Sequence, residues 1–70
     1  MKKVSIIIPC FNEQDNIARL YEALRTLFAQ NAQYEWEVIM IDDGSCDGTL
    51  SEIKRINRTD RRMKYISLSR

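Results

Sequence analysis

Apolar and polar residues alternate with two different periods along the chain, and their order predicts strands and helices in turn. Short β-rich apolar runs occupy Val4–Ile8, Trp36–Ile41 and Met63–Leu68, and the first of them ends at Pro9. Between these runs, apolar residues recur at helical spacing. The pattern therefore predicts the element order β-α-β-α-β.

Both predicted helices begin next to residues that favour a helix start. The first is expected from about Gln14 to Gln30, with Asn12 as its N-cap and Asp15 completing a capping-box pattern. Asp47 is the expected N-cap of the second helix. The apolar stripes are formed by Ile17, Leu20, Tyr21, Leu24, Leu27 and Phe28 in the first helix and by Leu50, Ile53 and Ile56 in the second. Turns or loops are expected at 31–33, 42–48 and 57–62.

This element order predicts an α/β fold with a parallel sheet and right-handed crossovers. With the strand order 3-2-1, both helices cover the same face of the sheet. The strands, however, are apolar on both faces, and such strands are normally covered on both sides. Either the chain is the opening portion of a larger α/β domain or self-association covers the second face. A cooperatively folding monomer of these 70 residues would contradict this expectation. The first strand carries Val4, Ile6 and Ile8 on one side and Ile7 on the other, and the second carries Val38 and Met40 on one side and Ile39 and Ile41 on the other.

Bulk composition limits the possible classes of protein. Seventy residues make at most one small domain, and no apolar run is long enough to span a membrane. The basic N-terminus is followed by an apolar run that ends at Pro9 without a small-residue cleavage site, and this pattern favours a strand over a signal peptide. A cytoplasmic location is therefore expected. Because there is no histidine, Cys–His nucleophiles and histidine metal sites are excluded. Cys10 and Cys46 are expected to be reduced thiols, although a disulfide could form between them under oxidising conditions.

Charge is distributed unevenly along the chain. Residues 1–53 contain four basic and nine acidic side chains, whereas residues 54–70 contain seven basic side chains and Asp60 as the single acid. A basic segment of this kind can contact phosphates or anionic lipid. It can equally be a solvated helix end and loop, and charge alone leaves both readings open.

Two polar clusters follow the first two predicted strands. One spans Pro9–Glu13 and the other spans Asp42–Thr49. Ligands of open α/β sheets bind beyond the carboxyl ends of the strands, so the two clusters can share one crevice. Successive strand residues point to opposite faces, and therefore only one of Asp42 and Asp43 needs to face that crevice. A carboxylate there can accept hydrogen bonds from a nucleobase, and two can hold a divalent cation.

The two clusters together resemble the start of a family 2 inverting glycosyltransferase with the GT-A fold, and the resemblance covers the whole chain. The matching segments are Val4–Glu13 and Ile41–Thr49, separated by the amphipathic helix. The ending Tyr65–Arg70 is similar to the third strand of the polyprenyl-phosphate sugar transferases, which include dolichol-phosphate mannosyltransferases and bactoprenol glucosyltransferases. The resemblance implies transfer of a sugar from UDP- or GDP-sugar to an acceptor, with a polyprenyl phosphate as the acceptor of this subgroup.

The resemblance also implies roles for residues of the first cluster. Pro9, Phe11 and Glu13 match positions that line the nucleoside pocket. Asn12 matches the asparagine of the motif, which shapes the turn.

In the second cluster, Asp43 matches the carboxylate that accepts hydrogen bonds from the base. Asp42 and Gly44 match neighbouring positions of the same turn. Asp47 is expected to cap the second helix and not to bind ligand. The resemblance assigns no catalytic residue to this chain. The family's Asp-x-Asp site for Mg²⁺ or Mn²⁺ and its catalytic base come from a later strand end, so we expect weak nucleotide binding and no transfer by these residues alone.

Other classes of protein fit the sequence less well. An EF-hand would need a glutamate where Lys54 stands and a helix before the loop. A receiver domain would place the acidic pair after its first strand, and a dinucleotide-binding fold would need a G-x-G-x-x-G motif that is missing here. A non-catalytic module with a truncated GT-A fold, which binds a nucleotide or a partner through its bare sheet face, remains open. No nucleic-acid partner is predicted.

Overall fold

The computed structural model describes residues 1–45 and 47–68, and it has the predicted order of elements. The bounds are β1 Lys3–Cys10, α1 Gln14–Gln30, β2 Glu35–Asp43, α2 Thr49–Thr59 and β3 Met63–Leu68. Cys46 lies outside the described residues, so its pairing with Cys10 is not addressed. Neither α1 nor α2 is long and apolar enough to cross a membrane.

The three strands form one parallel sheet in the order β1-β2-β3, which confirms the predicted 3-2-1 arrangement. Cys10 lies opposite Asp42, and Asp43 lies opposite Leu68. The register therefore brings the carboxyl ends of all three strands to one edge of the sheet, where the two polar clusters begin.

The core lies between one face of the sheet and the two helices. Val38 and Met40 of the central strand are almost completely buried in it, and α2 contributes Ile53 and Ile56. Each of these side chains is removed from water, which stabilises the fold by roughly 1.5–3 kcal/mol per large apolar side chain. The other buried apolar members of the cluster are Cys10, Ile17, Leu24, Phe28 and Met63.

The opposite face of the sheet is not covered by any described element. Ile7 is 64% exposed, Ile66 is 49% exposed and Leu68 is 46% exposed. The register places Ile39 beside Ile7 and Ile41 beside Ile66, so these side chains form one continuous apolar face. The prediction that two helices on one side would leave an uncovered apolar face is therefore confirmed.

Three predicted boundaries are wrong by a few residues. β1 continues through Pro9 to Cys10. Proline has no backbone N–H to donate, and it is tolerated here because β1 is an edge strand, whose outer side needs no hydrogen bond to a neighbouring strand. β2 includes Asp42 and Asp43, which were expected in the turn. α2 continues to Thr59, so the first part of the expected 57–62 loop is helical.

A polar cluster joins α1 to the turn before β3. The Tyr21 hydroxyl donates to Asp60 Oδ2 at 2.9 Å, and Arg62 donates to both Asp60 oxygens. The Arg62 guanidinium, with help from the Tyr21 hydroxyl, holds the pKa of Asp60 at about 2. Arg62 also lies over the Phe28 ring, 4.4 Å from its centroid. The turn is thereby fastened to the helix layer.

Candidate functional site

The two polar clusters lie next to each other at the carboxyl edge of the sheet. Cys10 and Asp42 are opposite each other in register, so the segment 11–13 that leaves β1 and the segment 44–48 that leaves β2 begin side by side. We call residues 11–13 the first loop and residues 44–45 and 47–48, the described part of the second segment, the second loop. The spatial closeness expected for the two clusters is present.

Hydroxyl groups of the second loop and of α2 hold the first loop in place. The backbone N–H of Asn12 donates to Ser45 Oγ at 2.9 Å, and the N–H of Glu13 donates to Thr49 Oγ1 at 2.8 Å. Thr49 is fully buried. The Asn12 bond is exposed and the Glu13 bond is partly buried, and together they fix the path of the first loop relative to the second.

Asp47 and Gln14 add a second set of cross-links. The Gln14 N–H donates to Asp47 Oδ2 at 3.4 Å, and the Gly48 N–H donates to Gln14 Oε1 at 2.9 Å. Asp47 Oδ1 accepts from the N–H and the hydroxyl of Thr49, and the Thr49 hydroxyl is the main reason that the pKa of Asp47 lies below its usual value. The N-cap of α2 is Gly48, so the prediction of Asp47 at that position is wrong by one residue; Asp47 precedes the cap, accepts from the Thr49 N–H and also reaches the start of α1.

The predicted capping box at the start of α1 is wrong. The N-cap is Glu13, whose carbonyl accepts from the N–H groups of Asn16 and Ile17 at 2.9 and 3.1 Å. Asn12 instead adopts a left-handed conformation with φ of 50°, which asparagine tolerates better than most residues. Asn12 and Asp15 therefore do not form a capping box. The N–H of Gln14 at the start of α1 is instead bonded by Asp47 of the second loop.

The two adjacent carboxylates face opposite sides of the sheet. Asp42 is 2% exposed and lies on the side covered by the helices, and within the described chain its Oδ1 has no hydrogen-bond partner. Asp43 is half-buried and points to the uncovered side. Gly44 follows with φ of 72°, a conformation that costs glycine little. The turn thus begins immediately after Asp43.

Cys10 shares the buried environment of Asp42. Its thiol is 3.7 Å from the carbonyl oxygen of Ile8. Burial is the main cause that raises the pKa of Cys10, and the carboxylates of Glu13 and Asp42 add to it. Since the thiolate is the reactive form, this cysteine is a poor nucleophile.

The predicted site residues do not all line one hollow. A hollow of about 290 Å³ beside β1 and α1 includes Pro9 and Glu13 but neither Asp42 nor Asp43. Phe11 projects from the first loop and is 53% exposed. The described residues therefore place the two loops together without enclosing a complete ligand cavity between them.

Sequence reasoning missed the residues that join the loops. In the sequence analysis, Ser45 and Thr49 are only members of the second polar cluster, and Gln14 is only the expected start of a helix. The signal available in the sequence was the presence of these two hydroxyl residues shortly after the acidic end of a strand. Their partners are backbone N–H groups more than thirty residues away, and these cannot be read from the local sequence.

The acidic pair does not fit a metal site. Among the residues described, no group of three or more Cys, Asp or Glu side chains is placed to hold an ion. Asp42 and Asp43 cannot chelate one cation together because neighbouring strand residues point to opposite faces. The described residues of this edge therefore offer a divalent metal no fitting set of ligands.

Comparison with known proteins identifies the family. Residues 5–70 match the family described as Glycosyl transferase family 2. The chain belongs to this family. The resemblance to family 2 inferred from the two polar clusters is thereby confirmed.

Individual relatives agree with this assignment. The chain is 46% identical over 67 residues to the protein named glycosyltransferase CsbB of Bacillus subtilis (strain 168), covering 96% of this chain and 20% of that protein. It is 35% identical over 68 residues to the prophage bactoprenol glucosyl transferase homolog of Escherichia coli (strain K12), covering 97% and 22%. It is 34% identical over 71 residues to the undecaprenyl-phosphate 4-deoxy-4-formamido-L-arabinose transferase of Salmonella choleraesuis (strain SC-B67), covering 100% and 21%. The chain thus spans about a fifth of the length of these relatives.

Proposed function

We propose that this chain is the nucleoside-binding part of a GT-A glycosyltransferase domain, which transfers a sugar from a UDP- or GDP-sugar to an acceptor with inversion at the anomeric carbon. Family membership supports the reaction class. The observation that carries the site is the set of hydrogen bonds from the first loop to Ser45 and Thr49 and from the Gln14 N–H at the start of α1 to Asp47, because it holds the first loop beside the acidic strand end.

In the proposed complex, Asp43 accepts hydrogen bonds from the N–H groups of the nucleobase. Its position at the carboxyl end of the central strand, on the side away from the helices, supports this role. Phe11 offers an exposed ring to the flat base, and Pro9 and Glu13 complete the wall. Asn12, Asp42 and Gly44 shape the two turns that carry these groups.

The acceptor in this proposal is a polyprenyl phosphate. Two relatives are named for bactoprenol or undecaprenyl phosphate, and both align over nearly the whole chain. Because such an acceptor is a membrane lipid, we place the reaction of the complete protein at the cytoplasmic face of a membrane.

We expect no sugar transfer by the 70 residues alone. A leaving nucleoside diphosphate carries its charge into the transition state, and a divalent cation with a base lowers that barrier. The described residues hold no fitting set of metal ligands. Contacts to the base alone stabilise the ground state and do not accelerate the reaction. In the complete domain, Mg²⁺ or Mn²⁺ would supply this charge stabilisation.

Calorimetric titration of the chain with UDP and GDP, with and without Mn²⁺, tests the proposal. We expect weak binding of one nucleotide that does not depend on Mn²⁺. Asp43→Asn should weaken it roughly tenfold or more, because a hydrogen bond to a charged acceptor contributes about 1.5–3 kcal/mol. Glu35→Gln removes an exposed charge at the opposite edge of the sheet and is the matched control. Equal loss in both variants, or sugar transfer by the chain alone, would contradict the proposal.

The uncovered apolar face favours a second candidate, a non-catalytic module that binds a protein partner there. The exposure of Ile7 and Ile66 supports it. This candidate predicts no nucleotide binding and no effect of Asp43→Asn, so the same titration separates the two functions.

A further inference from the structure

The geometry points to a phosphate-binding site at the amino edge of the sheet, opposite the proposed nucleoside site. A hollow of about 420 Å³ lies where α2 ends and β3 begins. Its lining is Asn57, Arg58, Arg61 and Lys64. Three cations on three separate segments, the last turn of α2, the following turn and β3, thus surround one concavity without a carboxylate in its wall.

Two of these cations are available to a ligand. Neither the Arg58 nor the Arg61 side chain has a hydrogen-bond or ion-pair partner within residues 1–45 and 47–68, and both side chains are exposed. The nearby acid Asp60 is already engaged by Arg62 at 2.6 Å. Arg58 and Arg61 therefore contribute positive charge that no described carboxylate neutralises.

Lys64, at the edge of the hollow, forms an ion pair with Glu37. Its ammonium donates to Glu37 at 2.5 Å, and Lys3 lies 3.3 Å from the same carboxylate. Lys64 is the largest cause that keeps the pKa of Glu37 at about 2, so this acid stays ionised and is shared between two lysines. The local balance remains positive, because one carboxylate serves two ammonium groups.

Asn57, which lines the hollow, is held in place by a hydrogen bond. Asn57 Nδ2 donates to the Met63 carbonyl at 2.6 Å and fastens the end of α2 to β3. The arginine guanidinium presents a planar fork of N–H donors that matches phosphate oxygens. Two such groups at one hollow favour a phosphate ligand over a single carboxylate.

Trp36 and Tyr34 line an adjoining hollow of about 400 Å³, and Arg61 and Lys64 line both hollows. Aromatic rings of this kind suit the interface of a lipid bilayer.

The shared chemistry of the ligand is therefore a phosphate group, either free as a small polyphosphate or carried by a lipid headgroup. This site is separate from the nucleoside site, and its test does not depend on that proposal. The probes are inorganic pyrophosphate in calorimetric titration without divalent metal, and co-sedimentation with phosphatidylglycerol vesicles against phosphatidylcholine vesicles. Both are used with the 70-residue chain at low ionic strength.

We expect binding to at least one phosphate probe that weakens as salt is added. The double variant Arg58→Gln with Arg61→Gln should lose roughly tenfold in affinity, as expected when charge-assisted hydrogen bonds to phosphate are removed. Arg19→Gln with Arg25→Gln removes the same charge from α1 and is the matched control.

Binding of pyrophosphate indicates a free phosphate ligand, whereas binding only to phosphatidylglycerol vesicles indicates a lipid headgroup. Both results support the site if the Arg58/Arg61 variant alone is impaired. No binding to either probe overturns it. So does an equal loss in the two double variants, because that would show attraction by net charge without a defined site.

Discussion

Thr49 is the residue on which the arrangement of the two loops depends most directly. Its side chain is fully buried, its Oγ1 accepts from the Glu13 N–H at 2.8 Å, and its hydroxyl donates to Asp47. Thr49→Val keeps nearly the same shape and removes only the hydroxyl. The Glu13 N–H then loses its acceptor and Asp47 loses a donor.

The magnitude follows from these partners. Leaving a buried donor without an acceptor costs about 1–3 kcal/mol, and we expect about 2 kcal/mol for Thr49→Val. For a domain of this size, that corresponds to a fall of roughly 10 °C in Tm. Thr49→Ser keeps both hydrogen bonds and loses one methyl group, which costs about 1 kcal/mol.

Urea denaturation followed by circular dichroism measures these differences, and fluorescence of Trp36, the single tryptophan, provides a second probe. Thr59→Val is the matched control, because Thr59 is exposed on the same helix and bonds only to the Arg55 carbonyl. Its effect should stay within about 0.5 kcal/mol. If Thr49→Val were as stable as the unmodified chain, or no worse than Thr59→Val, the hydroxyl would not join the loops as described.

Three further predictions concern the rest of the molecule. Because the pKa of Asp60 is about 2, below the ordinary 3.8, its carboxylate stabilises the fold above about pH 4, and this contribution is lost as the pH falls toward 2. Tyr21→Phe should lower the free energy of unfolding by about 1 kcal/mol and move this acid loss to higher pH in a pH titration of stability. The chain should self-associate through its uncovered face, and Ile7→Lys should reduce that association in sedimentation velocity; a monomer at all concentrations would contradict this. In a Cys46→Ser background, Cys10 should react with iodoacetamide more slowly than free cysteine until urea is added, as followed by mass spectrometry; equal rates in the folded and unfolded chain would refute its burial.

Hydrophobic periodicity determined the elements. Short β-rich runs and one long amphipathic segment predicted three strands and two helices in the correct order, and parallel pairing followed from the short crossovers. The uncovered apolar face was also readable, because Ile7, Ile39 and Ile41 alternate with core residues along their strands. Boundaries were less well predicted, since Pro9 was expected to stop β1 and Asp43 was expected in the turn, whereas both residues belong to strands.

The sequence was also sufficient to predict the family, because the two polar clusters that follow the first two strands form a recognisable pattern. Only the tertiary structure showed what holds these clusters together. The start of α1 is capped by Asp47 and by the Thr49 hydroxyl and not by Asn12, since the groups that satisfy its N–H bonds come from another loop. Only the tertiary structure shows that Asp42 is buried and that Asp43 faces outward, because this depends on which face of the sheet the helices cover. Local sequence specifies periodicity and turn chemistry, whereas partners more than thirty residues apart are selected only when the chain packs.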